Sequence, residues 1–161
     1  MCTYIDGAAT EKMEKRLKGR KASYAWKVVR VSSYDWFAPY QRTPPFPYSQ
    51  HNRTYECCRP LLSVVDTDPD PVDATRPCVT DGAFHLSLTR KSARAIYNYI
   101  KFYSSSDKHK VVKVSFKPKD MLYVGDCGVN AKKFYGMSVG PDTVCVKAFS
   151  FVDKINLKGT K

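Results

Sequence analysis

The chain reads as an α+β protein: a mainly antiparallel sheet with one major amphipathic helix over about 90–102, a short N-terminal helix and a long Pro-rich aromatic loop. Three observations predict this. Strand-like stretches stand on both sides of a single strong helical stripe. They do not alternate with helices, which argues against a parallel α/β fold. Eight of the ten prolines fall within residues 34–82, which makes that span a long irregular excursion. At 161 residues the chain is sized for one domain, 1–161, with one core.

Thr10 to Lys21 predicts a short, highly charged helix with Met13 and Leu17 as its only apolar pair, so loose packing is expected. Tyr24 to Ser33 follows as a strand. Tyr24, Trp26, Val28 and Arg30 share one face, and Ala25, Val29 and Val31 the other. A strand that is apolar on nearly both sides belongs in the middle of a sheet. Arg30 at its end needs either a carboxylate partner or a ligand anion.

The first half of the 34–82 excursion is too aromatic for disorder. It is expected to fold back over the sheet and bring Tyr34, Trp36, Tyr40 and Arg42 to one edge. Aromatics beside arginines suit stacking on a base, and they also suit a plain cover over the core. Asp66 to Asp73 starts like a calcium loop but carries Pro71 and Pro77 where glycine and glutamate are required, so it reads as a solvated acidic loop.

The firmest local inference is a strand running into a helix. Phe84, Leu86 and Leu88 alternate with Ala83, His85 and Ser87 as in a strand. Ala93, Ile96, Tyr97 and Ile100 then recur at helical spacing, with Arg90, Arg94, Asn98 and Lys101 opposite. Thr89 stands at the N-cap. The joint offers amides and the positive end of a helix dipole, so His85, Ser87 and Thr89 are candidate ligand-binding residues. Strands follow at 110–117, at 121–124 with a turn at 125–128, and at 143–152, and residues 153–161 read as a flexible tail.

The formal charge of +12 suggests a polyanionic partner: a nucleotide-like or other anionic ligand, a nucleic acid, or an acidic host protein. Every basic residue after Arg94 other than His109 is a lysine, a point charge without the fork that reads a guanine. The C-terminal half is therefore expected to attract by field. No apolar run approaches the roughly 20 residues that cross a bilayer, and no leader is read at the N-terminus, so no membrane partner and a cytoplasmic location are expected. The six cysteines are then expected to be reduced, and they lack the paired C-x-x-C spacing of a zinc site. No metal or cofactor is expected.

Gly82-Ala-Phe-His-Leu-Ser87, Val111-Val-Lys-Val-Ser-Phe116 and Tyr123-Val-Gly-Asp-Cys-Gly128 resemble small uncharacterised proteins of tailed bacteriophages. Met1-Cys2, Trp26-Lys-Val-Val-Arg30 and Ala38-Pro-Tyr40 add to the resemblance, which covers most of the chain. It implies a phage accessory protein acting in the host cytoplasm and countering host defence. The order of elements is also distantly similar to the ADP-ribosyltransferase fold, with Arg30 at its first-strand position and His85 to Thr89 at its second motif. The late catalytic glutamate of that fold has no counterpart, because no glutamate follows Glu56.

Three functions follow as expectations. The first is binding of a nucleotide-like ligand or host factor without turnover: Arg30 and Arg42 meet phosphate, Trp36 or Tyr40 stacks, and His85, Ser87 and Thr89 hydrogen-bond. The second is a lysine-rich nucleic-acid or acidic-protein binder. The third is an unorthodox transferase in which His85 and Asp126 act as acid and base. No catalytic residue is assigned.

Overall fold

The computed structural model describes residues 3–31, 35–37, 46–47, 54–56, 63–65, 78–81, 83–103, 109–126 and 141–152. These form a mostly antiparallel sheet with two α-helices, the expected α+β architecture. The chain begins with β1 (Thr3–Ile5), α1 (Gly7–Leu17) and β2 (Ser23–Val31). Five short strands come next: β3 (Asp35–Phe37), β4 (Phe46–Pro47), β5 (Thr54–Glu56), β6 (Ser63–Val65) and β7 (Cys78–Asp81). The span read as an irregular excursion thus lends the sheet several pieces of two to four residues, each too short to carry a visible period. Then follow β8 (Phe84–Ser87), α2 (Arg90–Tyr103), β9 (His109–Phe116), a 3-10 turn (Pro118–Asp120), β10 (Met121–Asp126), β11 (Thr143–Val146) and β12 (Ala148–Phe151). The tail expected over 153–161 lies outside the described residues.

The strands line up in the order β5-β12-β9-β2-β8-β11-β10-β1-β7-β6, with β3 attached to β2 and β4 to β3. β2 is interior as expected, paired with β9 along its whole described length except Val31 and touching β8 at Trp26↔Ser87. The stretch expected as one strand over 143–152 is two. It breaks at Lys147, whose N–H donates to the Asp120 carbonyl at 2.7 Å. Before the break the chain pairs with β8 and β10, and after it with β9 and β5. The corner closes β9, β2, β8 and the β11–β12 segment into a small barrel, because one continuous segment pairs at both ends of the series.

The barrel interior is the main core. Ala25 and Val29, Phe84 and Leu86, Val112, Val114 and Phe116, Val144 and Val146, and Phe149 and Phe151 all bury there. Phe84 and Phe149 meet edge to face at 4.8 Å, and Phe149 meets Phe151 the same way at 5.2 Å. Burying each such ring contributes roughly 2–3 kcal/mol.

Helix α1 plugs one end of this core. Asp6 caps it, its carboxylate accepting from Ala9 N–H at 2.9 Å, and Gly19, at φ +78°, turns the chain out of the helix. The helix therefore starts earlier and ends sooner than the expected 10–21. Nor is its packing loose. Leu17 is 2 % exposed, Ala9 and Met13 pack on the core, and the Thr10 hydroxyl accepts from Val124 N–H at 3.0 Å, tying the helix to β10.

Helix α2 lies outside the barrel. Ala93, Ile96 and Ile100 are buried, the latter two packing with Val28 of β2 and partly buried Val111 of β9. Arg90, Arg94, Asn98 and Lys101 face solvent, as the helical period predicts.

Candidate nucleic-acid interface

The expected joint between β8 and α2 is present. Thr89 Oγ1 accepts from Ser92 N–H at 3.1 Å and lies 2.8 Å from Ser92 Oγ. Its oxygen thus serves the helix cap. Ser87 and His85 share the outer face of β8, where Ser87 is buried and stands opposite Trp26 on one side and Thr143 on the other.

His85 Nδ1 lies 2.7 Å from Thr3 Oγ1 and 3.7 Å from Cys145 Sγ. The histidine and cysteine resemble a nucleophilic pair, but the chemistry does not follow. Burial pushes the Cys145 thiol from its ordinary 9.0 up to about 12, and a hydrogen bond from Thr3 only partly opposes the shift. At neutral pH the sulfur is a thiol, not the thiolate that attacks. Asp126, weighed as an acid–base partner for His85, is the register partner of Tyr4 on the β1 side of β10.

The remaining candidates sit elsewhere. Arg30 stands opposite His109 and Phe37, and Trp36 opposite Val31 and Phe46. Arg30 is four residues beyond Trp26, about 13 Å along the strand, while Ser87 is level with Trp26. Arg30 and Trp36 thus belong to one end of β2, and Ser87 and Thr89 to the other. Tyr40 and Arg42 lie outside the described residues.

The Ser87 end of β2 holds an arrangement that the sequence reading missed. Lys113, Trp26, Ser87 and Thr143 form one row across β9, β2, β8 and β11 on the outer face of the barrel. Beside it Tyr24 stands opposite Ser115, and Ser115 opposite Ser150 of β12. Tyr24 is 57 % exposed, the most exposed large apolar side chain among the described residues. The Lys113 ammonium lies 4.6 Å from the centroid of the Tyr24 ring, and the Arg90 guanidinium 5.5 Å from that of Trp26. Helix α2 covers the Val28 and Val111 positions but begins only at Arg90, so it leaves the Tyr24 row open. The result is two aromatic rings alternating with two cations on a β surface, which suits ligands that carry both an aromatic ring and a negative charge.

Lys27 was missed as well. It points into the barrel, 4 % exposed, with its ammonium 5.6 Å from the ring centroids of both Phe84 and Phe149. Its neighbours in the strand pattern, Ala25 and Val29, gave no sign of a cation on that face.

Among the described residues no three His, Cys, Asp or Glu side chains come together as a metal site, and no helix is long and apolar enough to cross a membrane. Compared with protein-family models, curated proteins and solved structures, the chain gives no significant match.

Proposed function

We propose that this protein binds nucleotide units, as nucleic acid, through the outer barrel face made by Tyr24, Trp26, Lys113 and Arg90, and that it does so without turnover. The observation that carries this reading is the exposed Tyr24 ring with the Lys113 ammonium 4.6 Å from its centroid. A solvent-facing aromatic ring has a hydration cost that stacking would remove, and a neighbouring cation supplies the attraction for phosphate. The chain's formal charge of +12 adds a long-range field of the right sign. The resemblance to tailed-phage proteins supports action in a host cytoplasm, on host nucleic acid or a nucleotide signal.

An acidic protein partner would use the cations but not the rings. The aromatic–cation alternation therefore favours nucleic acid. The test is fluorescence anisotropy of a short labelled oligothymidylate at low and at physiological salt. Affinity is expected to fall as salt rises, and Arg90→Ala and Lys113→Ala are each expected to weaken binding about fivefold. Binding that is absent, or indifferent to both substitutions, contradicts the proposal.

A further inference from the structure

We infer that the Tyr24–Trp26 face takes single-stranded nucleic acid and holds two successive bases, one against the Tyr24 ring and one against the Arg90 guanidinium that stands over Trp26; the inference rests on the nucleotide-binding reading above. The argument is one of spacing. Tyr24 and Trp26 are two residues apart on one strand and on the same face, which sets them about 6.7 Å apart along β2. Bases in a duplex stand about 3.4 Å apart and hide their faces in the stack. Two stacking positions at twice that spacing, Tyr24 and the Arg90-covered Trp26, are both filled only if the bases are unstacked from one another, as in an extended single strand.

The cations fit the same ligand. Lys113 stands opposite Trp26 in the sheet and its ammonium lies over the Tyr24 ring, so its charge is beside the first stacking position. A phosphate of a nucleotide stacked on Tyr24 would lie within its reach. Arg90 stands over Trp26, and its planar guanidinium can itself take a base face and pass the stack outward from the indole. Nothing in this set reads a base edge: stacking and charge accept any base, so the face is expected to tolerate sequence. The row spans four strands of a barrel, broader than the helix or two-stranded ribbon that a major groove admits, which leaves a duplex with phosphate contacts alone.

The experiment is an anisotropy competition among oligothymidylate, oligouridylate, a duplex of the same length, and heparin, which carries charge without bases. It uses the wild-type chain, Tyr24→Ala and Tyr24→Phe. Tyr24 is chosen because its ring is 57 % exposed and its removal spares the core; Trp26→Phe serves as a second, milder variant. The expected result is at least about tenfold tighter binding of either single strand than of the duplex. Tyr24→Ala is expected to lose about tenfold on single strands with no change on duplex or heparin, and Tyr24→Phe to restore the loss. Equal binding of single strand and duplex, or a Tyr24→Ala chain that binds single strands as wild type does, overturns the single-strand inference even if Arg90 and Lys113 still matter. Failure to bind any of the four probes overturns the nucleotide-binding reading as well.

Discussion

Thr3 and His85, 82 residues apart, meet through Thr3 Oγ1 and His85 Nδ1 at 2.7 Å. In a flat sheet their strands would be about 14 Å apart, because β11 and β10 lie between β8 and β1. The contact shows that the sheet curls between β8 and β1, bringing Thr3 to the face that carries His85 and Cys145. Thr3→Val keeps the shape and removes the hydroxyl. It is expected to cost about 1–2 kcal/mol and lower the melting temperature by about 3–6 °C. An unchanged melting temperature would show that the contact adds nothing to the fold.

Gly125 makes the close approach of β1 to β10 possible. A Cβ at this position would lie 1.8 Å from the Tyr4 carbonyl oxygen, a backbone atom that has no way to move aside while β1 stays paired. Gly125→Ala is therefore expected to cost about 3 kcal/mol or more and to release β1 from the sheet. Gly7→Ala is the control, since a Cβ there meets nothing within 4 Å and the residue opens a helix. Hydrogen exchange of the Tyr4 and Ile5 amides checks the pair: fast in Gly125→Ala and unchanged in Gly7→Ala.

Cys145 predicts a falling stability in alkaline solution. Its thiol is raised from 9.0 to about 12 in the fold, so between those values the unfolded chain releases a proton that the folded chain keeps. Stability thus holds below pH 9 and drops as pH climbs toward 12, by at most about 1.4 kcal/mol per pH unit from this group. Urea unfolding across that window should show a shallower decline for Cys145→Ala than for wild type. Parallel declines would place the thiol's ionisation outside the folding equilibrium.

Much of the scaffold was legible because it rests on period. The stripe of Ala93, Ile96 and Ile100 marks α2, Thr89 marks its start, and the two apolar faces around Val28 and Val29 mark β2 as interior. Other features depend on contacts that no local pattern carries. Val144 to Phe151 is apolar throughout except Lys147 and Ser150, so it reads as one strand, and only the change of neighbours at Lys147 reveals a barrel corner. Gly125 looked like a turn glycine, whereas it lies inside β10 and is required by the close approach of the Tyr4 backbone.

The candidate face was half legible. Tyr24 and Trp26 were seen to share a side of β2, yet their residue types suggested burial. What leaves them open is where α2 begins, and that decides which rows of the sheet it covers. Lys113 and Arg90 come to these rings from β9 and α2, more than sixty residues away in the chain. Conversely, Ser87 and Thr89 were recognised from the joint, but the structure commits Thr89 to its cap and seats Ser87 beside Trp26.

The most direct test of the central claim is to map where a nucleic acid touches the chain. Ultraviolet crosslinking of bound oligothymidylate, followed by trypsin and mass spectrometry, does so at zero length. Cleavage after Lys21 and Lys27 releases Ala22-Ser-Tyr-Ala-Trp-Lys27, which holds both rings in one peptide. The account predicts that this peptide carries the main nucleotide adduct and that Tyr24→Ala reduces it. An adduct confined to other peptides, with 22–27 unmodified at saturating oligonucleotide, would contradict it.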